Sequence, residues 1–182
     1  MIRSTTLFVC SIFFVLDGYG QEKISFYGEA GGASPVMSIN IDKRLTKSNS
    51  GFGFRAGIGL APAYKRVKVG SQDFAWSEEG NWKFTVPVAI NYLAGKPSQK
   101  NFIEFALQGT FIPKGSLVDS WSSLPAGKAR IVNRFMPSGF IGYRLSPVKK
   151  GVVFRAGYNP LVLDDELVHW FSLSLGWKFR KK

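Results

Sequence analysis

The sequence predicts an all-β chain, an eight-stranded antiparallel up-and-down transmembrane β-barrel. Three observations carry this reading. Segments of about ten residues alternate apolar with small or polar side chains, and a tilted strand needs that length to cross a bilayer. Short and longer connections follow one another along the chain. Aromatic residues gather near both ends of the apolar faces, where rings with polar tips favour the two membrane–water interfaces. No segment offers about eighteen uninterrupted apolar residues, so a helical membrane protein is excluded. Mean hydropathy near zero suits a barrel whose outward and inward faces cancel.

Residues 1–20 read as a secretory signal peptide. Arg3 precedes the apolar run Leu7–Leu16, and the small residues Gly18 and Gly20 place cleavage before Gln21. The run is too short to span a bilayer. Residues 21–182 are then a single outer-membrane barrel domain. Cys10, the only cysteine, lies in the leader, so neither a disulfide framework nor a cysteine metal site is expected. The net charge of +12 survives cleavage because Arg3 and Asp17 leave together. The basic residues form no helical stripe, which argues against nucleic acid and for anionic lipid head groups as partner.

The first strand, Lys23–Ala33, sets Ile24, Phe26, Gly28 and Ala30 against Ser25, Tyr27, Glu29 and Gly31, and Gly31–Pro35 reverses the chain. Val36–Leu45 sets Met37, Ile39 and Ile41 against Ser38, Asn40 and Asp42, before the basic turn Lys43–Ser50. In Gly51–Ala61, Phe52, Phe54, Ala56, Ile58 and Leu60 oppose Gly53, Arg55, Gly57, Gly59 and Ala61. Pro62–Asn81 is charged and reads as a solvated loop. Trp82–Leu93 opposes Trp82, Phe84, Val86, Val88, Ile90 and Tyr92 to Lys83, Thr85, Pro87, Ala89 and Asn91. Pro87 lacks a donor and calls for a bulge. After the basic turn Ala94–Asn101, Phe102–Phe111 opposes Ile103, Phe105, Leu107 and Phe111 to Glu104, Ala106, Gln108 and Thr110. The loop Ile112–Arg134 is followed by Phe135–Leu145, with Ser138, Gly142 and Arg144 inward. Ser146–Gly151 is the third basic turn. Val152–Leu161 sets Phe154 and Ala156 against Arg155 and Gly157, repeating the order Phe54-Arg55-Ala56-Gly57. His169–Phe179 closes the series with Phe171, Leu173, Leu175, Trp177 and Phe179 on one face.

Short turns at one end and longer loops at the other match the periplasmic and outer ends of an outer-membrane barrel. The expected interfacial aromatics at the turn end are Phe52, Tyr92, Phe102, Tyr143 and Trp177. Those at the loop end are Phe84, Phe111, Phe135, Tyr158 and Phe171. An eight-stranded barrel is filled by its own side chains. Glu29, Asp42, Arg55, Lys83, Glu104, Arg144, Arg155 and Lys178 are expected in the lumen as a structural charge network, since buried charges must pair or be hydrated.

The stretches GGASPVMSINIDKRL (31–45), GFGFRAGIGLAP (51–62), IGYRLSPVKKGVVFRAGYNPLV (141–162) and the closing SLSLGWKF resemble the small porin-like outer-membrane β-barrel proteins of Bacteroidetes-type bacteria. The resemblance also runs through 86–111. It implies a cell-envelope protein of Gram-negative type, inserted by the outer-membrane assembly machinery among membrane lipid and lipopolysaccharide. The departure is at the end: Arg180, Lys181 and Lys182 follow Phe179, where such barrels finish on an aromatic.

The expected role is structural or in surface interaction, without an open pore, with 62–81 and 112–134 as the surface for an extracellular ligand. A lipid-hydrolysing barrel of deacylase or phospholipase type would need Ser, His and an acid together. His169 is the only histidine, and Ser172 points to the opposite face of its strand. No catalytic residue is therefore expected, and with no metal cluster, phosphate-cradling loop or nucleotide motif in the sequence, no metal site or cofactor is expected either. The soluble alternative, a lipocalin-like ligand-binding barrel, would turn the apolar faces inward.

Overall fold

The computed structural model describes residues 23–34, 36–69, 73–112, 117–118, 130–131, 135–163 and 166–180; the leader expected at 1–20 lies outside them. The eight barrel strands are β1 (Lys23–Gly31), β2 (Met37–Arg44), β3 (Gly51–Val69), β4 (Asp73–Ala94), β5 (Asn101–Phe111), β6 (Phe135–Leu145), β7 (Gly151–Tyr158) and β8 (Phe171–Arg180). Each pairs antiparallel with the next. β1 then pairs with β8 from Lys23↔Arg180 to Gly31↔Ser172, so the sheet closes on itself and leaves no barrel edge.

The side-chain period of two decides what faces where. On every strand an apolar row points out, and the inward row carries the charged and small residues, joined by Tyr27, Leu93, Phe102, Met136, Phe140 and Val153. Leu107 is 81% exposed on the outer surface, while Glu104 on the same strand is fully buried. Phe26 faces out and Tyr27 in. This is the reverse of a soluble ligand-binding barrel.

Three expectations are corrected. Pro62–Asn81 is not an open loop: β3 and β4 run on as a paired ribbon to Val69↔Asp73. No bulge forms at Pro87. The β3–β4 ladder skips Gly57 and Ile58 opposite Val86 and Pro87, resumes in the same register, and shifts only between Pro62 and Tyr64. The missing proline N–H is thus met by a local gap in one ladder while β5 stays paired, Pro87↔Thr110. The connection from β7 to β8 folds as a small hairpin, Leu161–Leu163 with Glu166–Val168, so β7 ends at Tyr158 and β8 starts at Phe171. Leu117–Val118 and Arg130–Ile131 also pair within the 112–134 connection.

Candidate functional site

The lumen is the polar interior of the molecule, and the inward rows place its charges. Glu29 (β1), Arg55 (β3) and Arg155 (β7) meet at one carboxylate oxygen. Glu29 Oε2 accepts from Arg55 Nη1 at 3.0 Å, Arg155 Nη1 at 2.6 Å and Ser174 Oγ at 3.0 Å. The repeated Phe-Arg-Ala-Gly sequence therefore delivers two arginines to the same glutamate. Arg155 continues to Glu104 through a two-pronged contact, Nε to Oε2 at 2.9 Å and Nη2 to Oε1 at 3.0 Å. Such fork-on-fork pairing is the strong form of the arginine–carboxylate bond. Arg144 Nη1 lies 3.4 Å from Glu104 Oε2 and 3.0 Å from Asp42 Oδ2. Asp42 Oδ1 accepts from Arg44 Nη2 at 2.7 Å, and Asn91 Nδ2 donates to Asp42 Oδ2 at 2.6 Å.

The result is an unbroken ladder of alternating sign: Arg55, Glu29, Arg155, Glu104, Arg144, Asp42, Arg44. Two aromatic rings flank its centre. The Arg155 guanidinium is 4.6 Å from the Phe140 centroid and 5.1 Å from that of Tyr27, a cation–π contact with each ring. Small residues make the room. A Cβ at Gly53 would strike the Arg44 guanidinium and the Asn91 amide, and one at Gly176 would strike Tyr27.

Among the described residues, side chains and turns fill the lumen toward both ends. At the loop end the reversal after β1, with Gly31 and Gly32 at positive φ, dips into the barrel. Thr110 Oγ1 donates to the Ala33 carbonyl at 2.5 Å, Asn159 Nδ2 to that of Gly32 at 3.1 Å, and Ser34 Oγ shares a 3.0 Å bond with Thr85 Oγ1. Ile112, Met136, Leu161 and Val168 form an apolar cluster there, with Trp170 packed against it. At the turn end Phe102, Leu93 and Val153 are buried. Asn49, reaching in from the first turn, donates to the carbonyls of Ser146 at 3.0 Å and Gln99 at 3.3 Å, stitching the three turns together. Lys178 completes this knot, donating to Asn49 Oδ1, to the Pro147 carbonyl at 2.9 Å and to Ser146 Oγ at 3.3 Å.

Of the lumen charges read from the sequence, Glu29, Asp42, Arg55, Glu104, Arg144 and Arg155 come together in the ladder. Lys178 belongs to the turn-end knot instead. Lys83 is half-buried opposite Ala61, eight positions up β4 from Asn91. Phe102 corrects the aromatic set: it is buried inside rather than exposed, because it shares the parity of Glu104 and pairs with Arg144. Phe52, Tyr92, Tyr143 and Trp177 do stand outside, Phe52 against Tyr92 edge-on at 4.9 Å. Arg44, Asn91, Gln108 and Tyr27 were missed as partners, although their inward parity marks them. Asn49 had no signal in a strand pattern.

His169 is exposed and bonds through Nδ1 to the Tyr158 hydroxyl at 2.7 Å, while Ser172 turns into the lumen. The Ser–His contact that acyl hydrolysis needs is absent from this pair.

No family model matches the chain, and no curated protein matches it either. Among solved structures it is similar to the N-terminal β-barrel domain of OprF from Pseudomonas aeruginosa, with TM-score 0.47 and 10% identity over 90% of this chain and 100% of that one. It is also similar to the outer membrane protein Ail from Yersinia pestis, solved in a phospholipid bilayer nanodisc, with TM-score 0.45 and 14% identity over 88% and 100%. A major outer membrane protein from Thermus thermophilus gives 0.45 and 14% over 88% and 99%. At such identities no residue role is carried over from any of them.

Proposed function

We propose that this chain is an integral outer-membrane barrel of the small Bacteroidetes-type kind, exported by the leader at 1–20 and inserted by the assembly machinery, with a structural or surface-interaction role and no open pore. One observation carries the reading: the barrel is inside out relative to a soluble protein. Its four ladder arginines and three carboxylates are buried, while Ile39, Phe84, Leu107, Phe171 and Leu175 stand exposed around the outside. Water tolerates contiguous apolar patches of only about a few hundred Å² on a monomer; hydrocarbon tolerates a whole girdle. The exposed aromatics at both rims suit the two interfaces.

In this orientation the turns face the periplasm and the connections at 62–81 and 112–134 face outward, beside lipopolysaccharide, where an extracellular ligand would dock. The filled lumen supports a scaffold rather than a channel. Extraction of the envelope followed by electrophoresis with and without heating tests the reading. The folded barrel is expected to resist detergent cold and to change mobility on boiling. A purified chain that remains monomeric in buffer without amphiphile overturns it.

A further inference from the structure

The charges of the connections are sorted by end. The three long connections, 62–81, 112–134 and 159–170, carry seven basic residues (Lys65, Arg66, Lys68, Lys114, Lys128, Arg130, Arg134) and seven acidic ones (Asp73, Glu78, Glu79, Asp119, Asp164, Asp165, Glu166). They cancel. The three short turns, 45–50, 95–100 and 146–150, carry Lys47, Lys96, Lys100, Lys149 and Lys150 and no carboxylate. All five are exposed.

Their depth is set by the rings beneath them. Phe52, Tyr92, Tyr143 and Trp177 stand out from the turn end of the barrel, and the Tyr143 hydroxyl donates to Asn101 Oδ1 at 2.8 Å, directly beside Lys100. Aromatic belts sit at head-group level, and a lysine just past one extends its ammonium to the phosphates while its stem stays over apolar surface. The turn knot built on Asn49 and Lys178 holds the three lysine-bearing turns as one rim.

We infer that this lysine rim is a binding surface for acidic phospholipids, gathering head groups of net negative charge in the leaflet that the turns touch. The inference rests on the outer-membrane reading. A loop lysine commonly faces only water, but five cations on three turns that carry no carboxylate, just past an aromatic belt, create a one-sign field that zwitterionic lipid answers poorly. Each lysine at an anionic surface enriches acidic lipid by about fivefold at most, and screening and competition within the lipid ring reduce the sum to roughly three- to tenfold.

The test reconstitutes the full chain in phosphatidylcholine vesicles containing either brominated phosphatidylglycerol or brominated phosphatidylcholine, and reads tryptophan quenching, to which Trp177 reports from the turn-end rim. The unaltered chain is expected to prefer phosphatidylglycerol about three- to tenfold at low salt and to lose most of the preference in molar salt. Replacing the five lysines by glutamine is expected to abolish it; replacing them by arginine keeps it. No preference in the unaltered chain, or an equal one in the glutamine variant, overturns the inference. So does loss of cosedimentation with cell-wall sacculi by the glutamine variant at unchanged lipid preference, which assigns the rim to a wall polymer. Heat-dependent mobility of each reconstituted sample separates the two levels: insertion without preference sinks the rim alone, and failure to insert sinks the barrel reading with it.

Discussion

Glu104→Gln is the perturbation that bears most directly on the charge ladder. Glu104 accepts two bonds from Arg155, at 2.9 and 3.0 Å, and stands 3.4 Å from Arg144. At about 3 Å and an effective dielectric near 20, one pair of unit charges is worth roughly 5–6 kcal/mol of attraction before desolvation is counted. Most of that offsets the cost of burying the ions, so the pair itself adds little. Removing one partner is different, because a buried guanidinium then loses its counter-charge, at a cost of about 3–5 kcal/mol. Arg155 keeps Glu29 and Arg144 keeps Asp42, which sets the expectation at the low end, about 3 kcal/mol. Urea unfolding of the barrel in vesicles, followed by tryptophan fluorescence, measures it. Glu104→Gln combined with Arg155→Gln should be less destabilised than the two single changes added, with a coupling of about 0.5–3 kcal/mol. A single variant that loses less than about 1 kcal/mol, with no coupling, would mean the ladder is hydrated and carries no such weight.

Other outcomes follow from the same geometry. Leu107→Arg, on the exposed outer row, should cost about 2–4 kcal/mol in a bilayer; a neutral effect would place that face in water. Gly176→Ala forces a Cβ onto Tyr27 and the Phe26 carbonyl and should cost about 1–3 kcal/mol, read as a lowered urea midpoint. Asn49→Ala removes one of the three acceptors of Lys178 and unties the turns, costing about 1–3 kcal/mol and raising amide exchange in 45–50 before the barrel strands. His169→Ala should leave phospholipid and lipid A acyl chains as intact as the unaltered chain does, since Ser172 faces away; a drop in hydrolysis would refute that geometry.

Strand alternation made the barrel legible. Once Phe54, Ile58, Leu173 and Leu175 are set on one face, Arg55 and Ser174 follow on the other, and parity alone assigns each ladder residue to the lumen. Parity says nothing about height along the barrel axis. That is why Lys83 and Lys178 were grouped with Glu104 although they lie toward opposite mouths. Phe102 sits next to the turn but has the parity of Glu104, and parity sends it inward. The 62–81 ribbon was misjudged for another reason. Its charges do mark solvent, but backbone pairing in an extended hairpin needs no apolar face, so hydropathy cannot see it. Asn49 was unreadable because its role depends on three turns meeting, and turn sequences do not say which way they fold.

The ladder joins residues far apart along the chain: Glu29 to Arg155 across 126 positions, Ser174 to Glu29 across 145, Arg144 to Asp42 across 102. None of these can meet until the first strand finds the last. A half-wound sheet can already make Arg44–Asp42 within β2 and Arg144–Glu104 between paired neighbours, but the Arg155–Glu29 and Arg144–Asp42 rungs stay open until the seam closes. Those long-range rungs favour the closed cylinder over any form that leaves a buried guanidinium without its carboxylate.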